Sequence, residues 1–154
     1  MDQVRIFGFR GLSNFEISLP KLAVLIGPNN CGKTSVLKAI QLAIGDYSRY
    51  LSEEDFHIDA TDQRSVAINV DVRFISTNST GARTPAFEQS WQNTFGDKIR
   101  ADPAGNQMFA FRTTVTPQPV KSGYLVERFI LQDWPDFAVW LTDASAVGKK
   151  FIEK

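Results

Sequence analysis

Residues 27–34 read Gly-Pro-Asn-Asn-Cys-Gly-Lys-Thr, and no other stretch of the chain restricts its fold as much. Leu22-Ala23-Val24-Leu25-Ile26 precedes it as an unbroken apolar run, the pattern of a strand covered on both faces. Val36, Leu37, Ile40, Ala43 and Ile44 follow at helical spacing, and Gly45 is placed to end that helix. The eight residues fit G-x-x-x-x-G-K-[ST] at every fixed position. Each residue type has a physical reason. Gly27 and Gly32 let the backbone curl so that successive N–H groups converge on one anion. A helix starting near Lys33 points its N-terminal dipole and free N–H groups at the same place. Lys33 adds a mobile positive charge for the β and γ phosphates. Thr34 offers a hydroxyl to Mg²⁺, which prefers hard oxygen ligands. A strand, this loop and a helix in that order are expected to hold Mg-ATP through Gly27, Pro28, Asn29, Asn30, Cys31, Gly32, Lys33, Thr34 and Ser35. Cys31 is the chain's single cysteine and has no disulfide partner within it. A helix N-terminus lowers a thiol's pKa, but the favoured reading of Cys31 is a small residue whose backbone N–H serves the loop.

The remaining pattern is mostly strand. Val4, Ile6 and Gly8 alternate with Arg5, Phe7 and Phe9, and after a turn at Arg10–Gly11, Phe15, Ile17 and Leu19 alternate with Glu16 and Ser18. Ser52-Glu53-Glu54-Asp55 predicts a brief capped turn. Val66, Ile68, Val70, Val72 and Phe74 alternate with polar residues, which predicts an amphipathic strand with one wet face. Thr84-Pro85 reads as a helix start, with Phe87, Trp91 and Phe95 on one stripe and Gly96 at the end. That stripe is expected to pack on a core; stacking on nucleic-acid bases is the other use of such aromatics. Met108 to Val115 and Tyr124 to Leu131 predict two more strands, joined by a turn containing Pro117, Pro119 and Gly123. The tail from Trp134 to Lys154 mixes helical and turn signals. These segments divide the chain into a phosphate-loop lobe (1–62), a β meander with a helical insertion (63–133) and a tail (134–154).

Bulk properties set limits. The 154 residues suffice for one core. Seventeen basic residues balance seventeen acidic ones, so no global cationic field announces nucleic acid. No apolar stretch is long enough to span a bilayer, and no secretion signal opens the chain. A cytoplasmic, membrane-free protein is the expectation.

Phe9-Arg10-Gly11-Leu12-Ser13-Asn14-Phe15, together with Leu25-Ile26 and the loop through Ser35-Val36-Leu37, resembles the N-terminal lobe of ABC-type ATPases related to RecF and SMC proteins. Within that group it is most similar to the OLD family of ATP-dependent endonucleases. The double Asn after Gly-Pro and Leu51-Ser52-Glu53-Glu54-Asp55-Phe56 point that way. The resemblance implies an α/β fold with a mixed sheet and an antiparallel meander. It implies a head that binds ATP and works as a homodimer with two ATPs between heads. It also implies a following Toprim nuclease domain that cuts DNA, in phage defence or DNA processing. It places Asn29 near the γ-phosphate and Arg10 near the nucleotide.

Several family parts do not appear. There is no Ser-Gly-Gly signature segment and no apolar run ending in Asp-Glu. The nearest candidate, Phe129-Ile130-Leu131-Gln132-Asp133, ends in Gln-Asp; Gln132 reads as a strand-edge residue rather than a Mg²⁺ sensor. No acidic Toprim cluster follows. The chain is therefore expected to be the first lobe of a larger protein, with no catalytic residue identified. The alternative is a RecF- or SMC-like nucleotide-operated DNA clamp without nuclease activity. A small-molecule kinase fits the meander poorly, and a GTPase would need an Asn-Lys-x-Asp segment that is absent.

Overall fold

The computed structural model describes residues 1–45, 47–118 and 123–144. Its elements are β1 (Gln3–Phe9), β2 (Leu12–Ser18), α1 (Lys33–Ile44), β3 (Ile68–Ile75), α2 (Gln89–Phe95), β4 (Arg100–Ala101), β5 (Gln107–Pro117), β6 (Tyr124–Ile130) and α3 (Phe137–Ala144). Short 3₁₀ turns at Tyr47–Tyr50 and Glu53–Asp55 follow α1. The strands form one sheet in the order β2-β1-β3-β5-β4, with β6 also paired to β5. Because β1 lies between β2 and β3, the sheet runs through both the 1–62 and the 63–133 segments.

Alternation along the strands builds the core. Val4 and Ile6 of β1, Ile68, Val70 and Val72 of β3, and Val115 of β5 share one buried cluster with Val36, Ala39, Leu42 and Ala43 of α1. Burying each aliphatic side chain of this size contributes about 1.5–3 kcal/mol, so this single helix-on-sheet contact fixes α1. Its C-terminal carbonyls are received by the sheet: Thr113 Oγ1 donates to Ala43 O at 3.3 Å, and Arg128 donates to Ala43 O at 3.1 Å and Gly45 O at 3.2 Å. A cation there also complements the helix dipole.

The opposite face of the sheet is not wet, contrary to the alternation of β3. Asp71 is fully buried beneath Trp140 of α3. Its carboxylate accepts from Arg112 Nε and Nη2 at 2.7 and 2.8 Å and from Trp140 Nε1 at 2.7 Å. Beside it, Trp134 donates to Gln3 Oε1 at 2.7 Å and lies 4.4 Å from the Arg5 guanidinium. Period-two polarity in β3 thus signals a paired polar layer here, satisfied at Asp71 by Arg112 and by Trp140, 69 residues away.

Three further expectations are corrected. Every strand pairing among the described residues is antiparallel, so the sheet is not mixed. The run Leu22–Ile26 forms no strand and is not covered: Leu22, Val24 and Ile26 are 84%, 73% and 89% exposed. No other described segment supplies the flanking strands that would pair it. The second helix begins at Gln89, not at Thr84–Pro85. Thr84 instead closes the preceding loop, with its N–H bonded to Ser76 O at 2.9 Å and its hydroxyl to Ser76 Oγ at 2.6 Å. The Phe87, Trp91, Phe95 stripe stacks on itself and on the sheet, with Phe95 4.4 Å from Phe109 and Trp91 6.0 Å from Phe74. Pro119 of the expected turn, and residues 145–154 of the tail, lie outside the described residues.

The Asp71 layer is testable. Breaking a buried ion pair by removing one partner costs about 3–5 kcal/mol. Asp71→Ala is therefore expected to lower the urea midpoint sharply, whereas Asp136→Ala, exposed at the start of α3, should leave it nearly unchanged. Equal midpoints for the two variants would show that the layer does not hold α3 down.

Candidate functional site

The loop that enters α1 has the backbone that its glycines permit. Gly32 lies at φ +90° at the helix N-cap, where a Cβ would stand 3.3 Å from Leu12 of β2. A Cβ at Gly27 would meet Cys31 Sγ at 2.9 Å, so the loop closes tightly on itself. Asn30 is also left-handed, at φ 66°. The first bond inside α1 runs from Val36 N–H to Gly32 O at 2.9 Å. The amides of Lys33, Thr34 and Ser35 therefore precede the helical ladder. No side chain caps this end, and its first turn holds no acid. Uncapped first-turn amides and a helix dipole favour an anion at this point.

Around this end lies an open cavity of about 780 Å³, lined by Asn29, Asn30, Cys31, Gly32, Lys33, Thr34 and Ser35 from the loop and by Arg10, Gly11 and Leu12 from the β1–β2 turn. Of the expected phosphate-binding residues, Gly27 and Pro28 alone do not line it. Their carbonyls accept from Lys33 Nζ at 2.6 and 2.5 Å, and Cys31 Sγ lies 3.4 Å from the same ammonium. Lys33 is thus folded over its own loop, one swing of a flexible stem from the cavity. Thr34 is exposed at the first turn. Among the described residues no cluster of three or more His, Cys, Asp or Glu could hold a metal, so any cation here would rely on Thr34, phosphate and water.

Arg10 is brought to the loop by a local device that starts at Gly8. This residue takes φ +72° inside β1, and a Cβ there would lie 2.5 Å from Ala67 O. Beyond it β1 leaves β3 for the segment after α1: His57 N–H donates to Gly8 O at 2.9 Å, Arg10 N–H to Asp55 O at 2.8 Å, and Phe9 bridges Phe56. Arg10 itself sits at φ 51°, left-handed for a non-glycine residue. Its guanidinium is clamped by buried Asp55 at 2.7 Å and by Tyr47 Oη at 3.1 Å, and its carbonyl lies 2.6 Å from His57 Nδ1. Ser52 N–H also donates to Asp55 at 2.9 Å, so the capped turn read in the sequence serves to aim this carboxylate.

A second hollow of about 460 Å³ lies on the other side of the same turn, lined by Arg10, Gly11, Glu54, Phe56, His57 and Ile58. Ile58 leads into a turn at residues 59–63. Asp59 Oδ1 accepts from Thr61 Oγ1, Thr61 N–H and Gln63 N–H at 2.7, 2.8 and 3.0 Å. Those bonds, the Thr61 hydroxyl's foremost, hold the Asp59 carboxyl below its ordinary range. Sequence reasoning missed Tyr47, His57 and Ile58; the only available signal was their nearness in sequence to Asp55. Gln132 is not part of the site. It accepts from Arg100 Nε at 2.7 Å at the far edge of the sheet.

The AAA ATPase domain family matches residues 1–115 of the chain. A curated relative, an OLD nuclease of Thermus scotoductus (strain ATCC 700910 / SA-01), is 37% identical over 46 residues, which are 30% of this chain and 9% of the relative. The matched stretch is thus a small part of that longer protein. No helix among the described residues is long and apolar enough to cross a membrane. With the family matched over three quarters of the chain, and the loop, helix terminus and cavity lying within the match, the chain belongs to the AAA ATPase domain family and resembles the ATPase lobe of OLD nucleases.

Proposed function

We propose that the Gly27–Thr34 loop binds Mg-ATP, and that the chain is the nucleotide-binding lobe of an OLD-like ATP-dependent nuclease acting on DNA, in phage defence or DNA processing. One observation carries the nucleotide reading: the uncapped N-terminus of α1 opens, with Lys33 and Arg10, into a cavity free of acidic residues. The residues fit a polyphosphate. The amides of Lys33 to Ser35 would take phosphate oxygens, Lys33 would exchange its two carbonyl partners for a stronger charge-assisted contact, and Thr34 would orient Mg²⁺. When bound, the metal neutralises phosphate charge. Asn29 lines the same cavity, which supports the reading that it would meet the terminal phosphate.

The exposed run Leu22–Ile26 supports a larger assembly. Three large aliphatic side chains facing water beside a phosphate loop form a surface that other strands would bury. In the parent protein we assign that cover to later segments of the same head, and head-to-head dimerisation to the face that holds the nucleotide. The stretch shared with a protein named as a nuclease favours this reading over a RecF- or SMC-like clamp.

Two outcomes are expected. Charge-assisted hydrogen bonds contribute roughly 1.5–3 kcal/mol, so Lys33→Ala should weaken ATP binding by about one to two decades. Titration with a fluorescent ATP analogue measures this, and unchanged affinity would remove Lys33 from the site. Thr34→Ala should instead flatten the Mg²⁺ dependence of binding.

The purified chain should also bind ATP and stall. Phosphoryl transfer to water requires in-line positioning of the nucleophile as well as charge neutralisation, and no carboxylate among the described residues lines the phosphate cavity. Phosphate release is expected to fall far below the enzyme median of about 10 s⁻¹. Turnover near that rate, lost in Lys33→Ala, would mean that a water-orienting group lies within these residues.

A further inference from the structure

We infer that the aromatic hollow at the C-terminal end of α1 is a separate ligand site, and that it takes a small aromatic acid: one or two flat rings carrying a single carboxylate. The hollow has a volume of about 380 Å³ and is walled mainly by rings, those of Phe74 from β3, Phe109 and Phe111 from β5, and Trp91 and Phe95 from α2. The 12 residues of α1 make it about 18 Å long, and the hollow lies at the end away from the phosphate loop. The inference therefore does not depend on what that loop binds.

Shape sets the apolar part of the ligand. The rings touch in series: Trp91 is 5.1 Å from Phe95, Phe95 is 4.4 Å from Phe109, and Phe109 is 5.8 Å from Phe111. A stripe that served only the core would be covered. Instead Trp91 is 38% exposed, and Ile44, which lines the same hollow from the last turn of α1, is 56% exposed. Large apolar side chains facing water around a concave surface mark a place for a ligand. Small-molecule pockets begin at roughly 300 Å³, so this hollow admits one or two rings and little more. Aromatic walls favour a flat ring, in offset or edge-to-face contact.

Charge sets the polar part. Lys98 and Arg128 line the hollow, and no acid among the described residues does. The end of α1 carries a partial negative charge of about half a unit, which alone would favour a cation, as aromatic cages do. That partial charge is already met, because Ala43 O accepts from Thr113 and Arg128, and Gly45 O from Arg128. Two full cations outweigh what is left of it, so an ammonium is repelled and an anion attracted. Arg128 spends Nε and Nη2 on those carbonyls, and Nη1 remains to donate to a carboxylate. A bond of that kind is charge-assisted on both sides and stronger than a neutral one.

The test titrates the purified chain by calorimetry with naphthoate, naphthamide and naphthylmethylammonium, three ligands of similar shape and different charge. Naphthoate should bind about tenfold more tightly than naphthamide, the worth of one charge-assisted hydrogen bond, and the ammonium should bind least. Ile44→Glu, at an exposed position, puts an acid into the lining and should reverse the order of naphthoate and the ammonium. Arg128→Gln should bring the naphthoate to naphthamide ratio close to one with naphthamide binding as in wild type, since Thr113 still holds Ala43 O. Lys33→Ala should bind naphthoate as wild type does; loss there would place the probe on the phosphate loop and overturn the inference. Equal wild-type affinity for the three ligands, or binding of none, would overturn it as well. So would displacement of naphthoate by oligothymidylate at lower concentration, which would make the hollow a place for nucleic-acid bases. Loss of naphthoate binding in the longer parent protein would do the same, because a later segment would then cover the rings.

Discussion

The contact between one face of α1 and the valine and isoleucine face of the sheet is the constraint on which the rest depends. A phosphate site at a helix N-terminus is only as precise as the direction of the helix. Here that direction is set by Val36, Ala39, Leu42 and Ala43 meeting β1, β3 and β5. It is locked at the far end by Thr113 and Arg128 on the last carbonyls. A helix held along one face and at its C-terminus leaves its N-terminus uncapped and pointed outward. The amides of its first turn can then serve an anion without loosening the fold.

The same sheet brings the second component to the loop. Gly8 allows β1 to change partners, so that Phe9 and Arg10 travel with Phe56 and Asp55 rather than with β3. The Arg10–Asp55 pair is an ion pair between a buried carboxylate and a partly exposed guanidinium. Such a pair contributes little net stability after desolvation. Its value lies in geometry: it fixes a cationic residue in a left-handed turn beside the phosphate loop, and Tyr47 and His57 complete the fixation. Backbone strain at Arg10 is tolerated because four groups determine it together.

Much of this was legible in the chain's own pattern. The loop, α1 with its Gly45 stop, the β1–β2 hairpin and three later strands follow from periodicity and from glycine placement. What escaped has physical causes. The polar face of β3 resembles a solvated one, since nothing local shows that Asp71 will meet Trp140 and Arg112. The two-residue strand β4 carries too few residues for any periodicity. Thr84-Pro85 has helix-start chemistry, but the Thr84 hydroxyl is engaged by Ser76 in the preceding loop. The run Leu22–Ile26 has the composition of a central strand and lacks its neighbours, so here composition describes an environment that the described residues do not supply. In the site, the loop residues were recognisable because their spacing is short and fixed. Tyr47, His57 and Ile58 were not, because their roles depend on where the turn after α1 folds back.

The uncovered run Leu22–Ile26 and the lack of a carboxylate among the described residues lining the cavity fit one explanation. An unbroken apolar strand leading into a phosphate loop requires neighbours on both edges to satisfy its N–H and C=O groups and to cover Leu22, Val24 and Ile26. Strands adjacent to a phosphate loop end near the phosphates, which is where an acid that orients water must stand. One further layer, beyond the described residues, would supply both the cover and the chemistry. What remains is a complete anion cradle: glycine backbone, helix terminus, lysine and threonine, all supplied within a few residues and anchored by a core of its own. On the proposed reading, binding would be local to this lobe and hydrolysis would belong to the layer that completes it. On that reading, a lobe divided in this way would hold its ligand without consuming it until a second layer closed on the loop.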